Sequence, residues 1–304
     1  MKTIPLALLV LLTGVYAATA SAQTAAPAPV PSGASPAANP NATPPAPRRG
    51  GGAGGPTAPR ERPADGLALL TEDFESGKLN PDVFTALHVG GDATAKVQSD
   101  KVAHGKYALQ IHYPAGTVGG KTWNFVGIPL PTALHDHFYG RAYVYLSGVP
   151  MSAHNVLMLA GSTGFPISNF LEIGLNRGQF QPSFQLNGPT GTQKRSEVVK
   201  HEGAVPVDRW FCLEWELTDK PEDRIVVWVD GKVTVNQTFT QNGLKSELTK
   251  GFAEVDFGFR NWANAATNAK DIDIYFDDIA FGDKPIGQLA PVSAEANPVA
   301  VVTP

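Results

Sequence analysis

The sequence predicts an all-β fold, a jelly-roll β-sandwich of two antiparallel sheets, and three observations lead there. Apolar residues in the middle of the chain recur at every second position, the period of a half-buried strand. No long amphipathic helix pattern competes with them. Glycine and proline, 31 and 26 among 304 residues, break the alternating runs at turn positions. Strands that bury one face each are most simply covered by a second sheet.

In chain order, Met1, Lys2 and the apolar run that follows, closing on Ala20-Ser21-Ala22, read as a signal peptide over residues 1–22. The run is short for a membrane span, so no stable membrane insertion is expected. The single cysteine, Cys212, is far from that cleavage site, which excludes lipid attachment there and any internal disulfide. The protein is therefore expected to be secreted or periplasmic. Residues 23–65 are rich in Pro, Ala and Gly and nearly devoid of large apolar side chains, so they cannot offset their chain entropy and are expected to form a disordered linker. Residues 66–287 make one domain with a sizeable core, and 288–304 read as a disordered tail. The net charge of −4 argues against nucleic acid as a partner, and a monomer is expected.

Within the domain, "RAYVYLSG" sets Ala142, Val144 and Leu146 against Arg141, Tyr143 and Tyr145. "FLEIGLNR" sets Leu171, Ile173 and Leu175 against Glu172, Gly174 and Asn176. "WFCLEWEL" gathers Phe211, Leu213, Trp215 and Leu217 on one face, with Cys212, Glu214 and Glu216 on the other. "RIVVWVDGK" is a strand running into the hairpin signal Asp230-Gly231. "EVDFGFRNW" sets Val255, Phe257 and Phe259 against Glu254, Asp256 and Arg260. In "YFDDIAFG" two adjacent aspartates, Asp277 and Asp278, must point to opposite faces of a regular strand, so one of them faces something other than water.

Taken in order, "DFESG", "VAHGKYALQIHY", "FYGRAYVYL", "HNVLMLAG", "RWFCLEWEL", "VVWVDGK", "VDFGF" and "YFDDIAF" resemble the core domain of the fungal cellulose-induced secreted proteins. That core is a polysaccharide-lyase-like jelly roll similar to the glucuronan lyases, and the resemblance spans roughly residues 68–284. It implies a structural calcium ion joining the first strand to the last. The positions that match are Glu75, backbone oxygens of the turn at His104, Gly105 and Lys106, and Asp277 in preference to Asp278. A serine of the family's turn has no counterpart here.

The resemblance also implies a polysaccharide partner. Arginine can hold a uronate carboxylate with two parallel hydrogen bonds, which points to an acidic polysaccharide. Lyase chemistry, a β-elimination, needs a base for the proton beside the carboxylate, an acid for the leaving oxygen and a group that neutralises the carboxylate. His154 with Tyr143 or Tyr145 is the candidate proton-transfer set, and Arg141 the candidate carboxylate anchor. Glu172, Asn176, Gln179, Gln185, Arg260 and Trp262 are candidate substrate-binding residues. A noncatalytic carbohydrate-binding module of the same fold needs the cation and the aromatic rings but no base. A glycoside hydrolase would use Glu214 and Glu216, which alternate onto one face. His135 and His137 read as loop histidines rather than a metal pair.

Overall fold

The computed structural model describes residues 68–117, 122–149, 154–162, 169–187, 193–198, 202–219, 223–239, 251–262, 270–289 and 291–292. The expected signal peptide and linker lie outside them. The strands are β1 Leu70–Glu72, β2 Ala86–Gly90, β3 Thr94–Gln98, β4 Ala108–Tyr113, β5 Trp123–Pro129, β6 His137–Leu146, β7 His154–Gly161, β8 Asn169–Asn176 and β9 Gln179–Phe180, followed by β10 Ser183–Asn187, β11 Gln193–Val198, β12 Glu202–Ala204, β13 Trp210–Thr218, β14 Asp223–Val229, β15 Lys232–Phe239, β16 Glu254–Asn261 and β17 Ile272–Gly282. They form an eight-stranded sheet, β15-β14-β13-β6-β17-β4-β3 with β1 beside β17, and a nine-stranded sheet, β11-β10-β8-β7-β16-β5-β2 with β9 and β12 alongside. All pairings are antiparallel. The all-β sandwich read from the alternation is the fold observed.

The two inner faces meet in one core that contains each of the apolar sets read above, from Ala142, Val144 and Leu146 to Val255, Phe257 and Phe259. Trp215 is its widest filler on β13. It pairs in register with Gly140 of β6, and any Cβ there would stand 2.2 Å from the indole. The Asp230-Gly231 pair closes β14 and β15 with both residues at positive φ, 50° and 74°, the two-residue turn whose twist suits a hairpin.

Strand β17 explains the adjacent aspartates. Its first half, Ile272–Phe276, pairs with β4 on one side, and Glu72–Leu70 of β1 takes that side from Ile279 to Phe281. Between the halves the pairing with β6 slips between Asp277 and Ala280, and Asp278 adopts a φ of 47°. The double aspartate thus sits at a bulge where the strand changes neighbours. No helix among the described residues is long and apolar enough to cross a membrane.

Candidate functional site

The core separates two outer faces, and the side chains expected to act together are divided between them. On the nine-stranded sheet, β7 sends His154 outward and β8 sends Glu172 and Asn176 outward, because Leu171, Ile173 and Leu175 fill the core between them. His154 pairs in register with Asn176, and Gly174 lies under the imidazole, where a Cβ would stand 2.5 Å from the ring. His154 Nε2 makes a short contact with Glu172 Oε1, and its Nδ1 is 3.2 Å from Gln181 Oε1. Ser183 Oγ donates to Glu172 Oε1 at 2.5 Å, and Asn176 Nδ2 donates to Gln181 Oε1 at 2.8 Å.

Each ring nitrogen of His154 therefore has an oxygen beside it, from Glu172 on one side and the Gln181 amide on the other. Burial pushes its pKa down, but the Glu172 charge and the hydrogen bonds to Glu172 and Gln181 outweigh burial and hold it above the ordinary histidine value. In this arrangement His154 is held by Glu172 and Gln181 on the nine-stranded sheet.

Arg260 of β16 lies on the same outer face. Its guanidinium carbon is 3.6 Å from the ring centre of Trp262 and 5.1 Å from that of Trp123, which β5 places opposite Arg260 in register. Trp123 has room to lie there because β2 carries Gly90, where a Cβ would stand 2.6 Å from the indole. The Trp262 backbone N–H donates to the His154 carbonyl at 2.9 Å, which ties the end of β16 to the start of β7. Burial pushes the Arg260 pKa down, and the Glu172 charge opposes that. Phe125, Val156, Leu159 and Phe170 form an apolar floor on this face. Gln179 and Gln185, the remaining expected binding residues, are half-buried on β9 and β10.

Arg141, Tyr143 and Tyr145 point the other way. On β6 they face out of the eight-stranded sheet, where Tyr143 and Tyr145 cluster with Trp210, Cys212 and Tyr275. Leu289 and Val292, from the segment read as a disordered tail, pack on that cluster because they are the apolar side chains available to cover it. The Leu289 N–H donates to the Tyr143 hydroxyl at 3.0 Å, and Arg141 Nη1 donates to the Gly287 carbonyl at 3.1 Å. Arg141 also lines a cavity with Glu72, Asp73 and Asp278, an acidic wall that repels a uronate. Burial drives the Tyr143 pKa far above its ordinary value. The expected catalytic grouping of His154 with Arg141, Tyr143 and Tyr145 therefore does not converge: alternation placed each residue outward, but on sheets that face in opposite directions. The glutamates of the hydrolase alternative belong to the eight-stranded sheet, where Glu216 accepts from His137 Nε2 at 3.0 Å and from Tyr139 at 3.1 Å. His135 Nε2 turns instead to the Leu130 carbonyl.

The segments expected to hold calcium do come together. Glu75 Oε1 accepts the backbone N–H groups of Lys106 and Tyr107, at 2.8 and 3.0 Å. Asp277 Oδ2 accepts those of Ala103 and His104, at 2.9 and 3.2 Å. Gly105 lies against Glu75 at positive φ, where a Cβ would stand 2.4 Å from the carboxylate. Asp278 turns aside to the His104 ring, 2.5 Å away. Burial, followed by the neighbouring Asp278 charge, pushes the Asp277 pKa up to about 7. Asp277 is buried and Glu75 exposed, and the turn offers its N–H groups to both carboxylates; their oxygens are the hard donors that a calcium ion takes.

The fold and site define a jelly roll whose nine-stranded face bears an arginine between two indole rings and a histidine paired with a glutamate. No family model matches the chain, and no curated protein matches it by sequence. Among solved structures it is similar to the cellulose-induced protein Cip1, at 17% identity and a TM-score of 0.51, over 72% of this chain and 100% of that one. It is also similar to an endo-β-1,4-glucuronan lyase from the fungus Trichoderma reesei, at 14% identity and a TM-score of 0.48, over 71% of this chain and 96% of that one. The fold is thus a jelly roll shared with Cip1; identities this low assign no residue its role.

Three participants on the nine-stranded face were not singled out from the sequence. Gln181 and Ser183 lie around a turn in "GQFQPSF", and Trp123 opens "WNFVGIP". The aromatic pair Trp123 and Phe125 at i and i+2 was the signal that could have marked that strand face.

Proposed function

We propose that the chain is exported and binds an acidic, uronate-containing polysaccharide along the outer face of its nine-stranded sheet, without cleaving it. The observation that carries this reading is Arg260, set against the rings of Trp123 and Trp262 on the face that also holds His154. Trp262 is 41% exposed and offers a ring face to a sugar. A guanidinium beside indole faces complements a pyranose that carries a carboxylate. A fold shared with a cellulose-induced protein is compatible with a polysaccharide partner. Elimination would need a base beside a carboxylate anchor, and His154 lies on the opposite sheet from Arg141, Tyr143 and Tyr145. The linker, residues 23–65, would tether this face to its surroundings.

The test is incubation of the full chain with glucuronan, alginate and a neutral β-glucan. Retention on the polyuronates without product is expected. Rising absorbance from unsaturated uronates would make the protein a lyase, and reducing ends without that absorbance a hydrolase. Failure to be retained on any of the three would remove the reading.

We also propose a structural calcium ion held by Glu75, Asp277 and backbone oxygens at His104, Gly105 and Lys106. Its contribution would be positive charge between two carboxylates that join the start and end of the domain. Calcium added to chelator-stripped protein should raise the melting temperature, by the equivalent of about 2.7 kcal/mol at a hundredfold excess over Kd. An unchanged melting curve would show that the backbone N–H groups alone hold these carboxylates.

A further inference from the structure

The nine-stranded face carries a second polar cluster, which the polysaccharide reading does not use. His88 of β2 and Glu254 and Asp256 of β16 offer one imidazole nitrogen and two carboxylates whose ligand atoms all lie within 4.8 Å of one another. Local sequence builds the cluster. Val255 and Phe257 fill the core, so alternation sends Glu254 and Asp256 outward together. Between β16 and β2 runs β5, and there the register places Gly127 against Asp256 on one side and Ala86 on the other. Glycine puts no side chain in the gap, so the His88 ring reaches across β5, and its Nε2 lies 3.7 Å from Glu254 Oε1.

Asp256 is fully buried, and neither of its carboxylate oxygens has a hydrogen-bond partner among the described residues. Glu254 Oε1 likewise has none, in a residue only 7% exposed. Buried polar groups are normally satisfied, and two buried carboxylates side by side repel unless they share a proton. A cation between the three side chains removes both penalties.

We propose that His88, Glu254 and Asp256 form a divalent metal site of mixed nitrogen and oxygen ligands, suited to zinc. Imidazole is a poor partner for calcium and a common one for zinc, which also accepts carboxylates. Zinc bonds of about 2.0–2.2 Å place tetrahedral ligand atoms roughly 3.4 Å apart, so side-chain rotation alone closes the site. Three protein ligands leave a position open, on the side where the His88 side chain keeps 20% of its exposure. The site needs no polysaccharide, so it stands or falls separately from the binding proposed above.

The test uses the full chain, stripped by chelator and returned to buffer with excess calcium, so that the proposed Glu75–Asp277 site is supplied. Calorimetric titration with zinc should give one equivalent per chain. Cobalt(II) in its place should give visible bands of a low-coordinate ion. His88→Gln should weaken zinc at least tenfold while leaving the metal-free melting temperature unchanged, because His88 is a half-buried residue on an edge strand. Asp256→Asn should abolish the equivalent; if that variant does not fold, His88→Gln decides. A wild-type chain that takes up no zinc, or a zinc equivalent undiminished in His88→Gln, overturns the proposal.

Discussion

The outer face of the eight-stranded sheet carries Tyr143, Tyr145, Trp210 and Tyr275 and is closed over by Leu289 and Val292, whereas that of the nine-stranded sheet carries His154, Glu172 and Arg260 and leaves Trp262 41% exposed. Both faces arise from the same alternation and both mix aromatic rings with charge. They differ in what their polar groups meet. Arg141 donates to backbone carbonyls of its own domain, at Asp278 and Gly287. On the other face Arg260 stacks on indoles. A polar outward residue is thus a structural brace in one sheet and a candidate ligand contact in the other, and the covering segment makes the difference.

The largest effect should come from breaking the pair beneath the open face. Glu172→Ala leaves the His154 ring and the Ser183 hydroxyl without their shared partner. Breaking a buried ion pair costs about 3–5 kcal/mol, and partial exposure of His154 lowers that to roughly 2–3 kcal/mol. Urea denaturation measures it, and a loss below about 1 kcal/mol would show the pair to be a loose surface contact. A smaller effect should follow truncation after Ile286, which removes the cover of the closed face. Lost apolar contacts and two hydrogen bonds predict about 1–2 kcal/mol. Polyuronate retention should be unchanged; retention that falls with the tail would move binding to the eight-stranded sheet.

The smallest effect is one of pH. The folded pKa of His154 is raised above its ordinary value of 6.5, so the folded chain binds that proton more tightly than the unfolded chain. The stabilisation is fully present below about pH 6.5 and is lost as pH rises through the folded value. The stability gap between wild type and Glu172→Gln should therefore narrow on going alkaline from pH 6. A gap that widened over that range would mean that the ring is neutral.

The contrast between the faces also shows what the sequence could convey. Sets such as Leu171, Ile173 and Leu175 were legible because burial in a sheet has the period of the pleat. That His154, Glu172 and Arg260 point outward was legible for the same reason. Which sheet each strand joins is a matter of long-range pairing, and alternation carries no record of it; hence Arg141 and Tyr143 were grouped with a histidine on the far side of the core. Local breaks in the period hid more. A register shift between Val156 and Met158 puts both Leu157 and Met158 inside. In "WNFVGIP" the fully buried Asn124 lies between the outward Trp123 and Phe125, so polarity there misreports the face. The adjacent aspartates of β17 were a legible sign of a break, but only pairing to both β4 and β1 shows why it falls there.

Retention on an immobilised polyuronate, compared among wild type, Arg260→Ala and Arg141→Ala, tests the assignment of the binding face most directly. A hydrogen-bonded contact to a charged group is worth about 1.5–3 kcal/mol, so Arg260→Ala should weaken polyuronate binding by about tenfold or more. It should affect a neutral β-glucan much less, and Arg141→Ala should bind as wild type does. Binding that survives Arg260→Ala but is lost in Arg141→Ala would place the polysaccharide on the eight-stranded sheet and contradict the account.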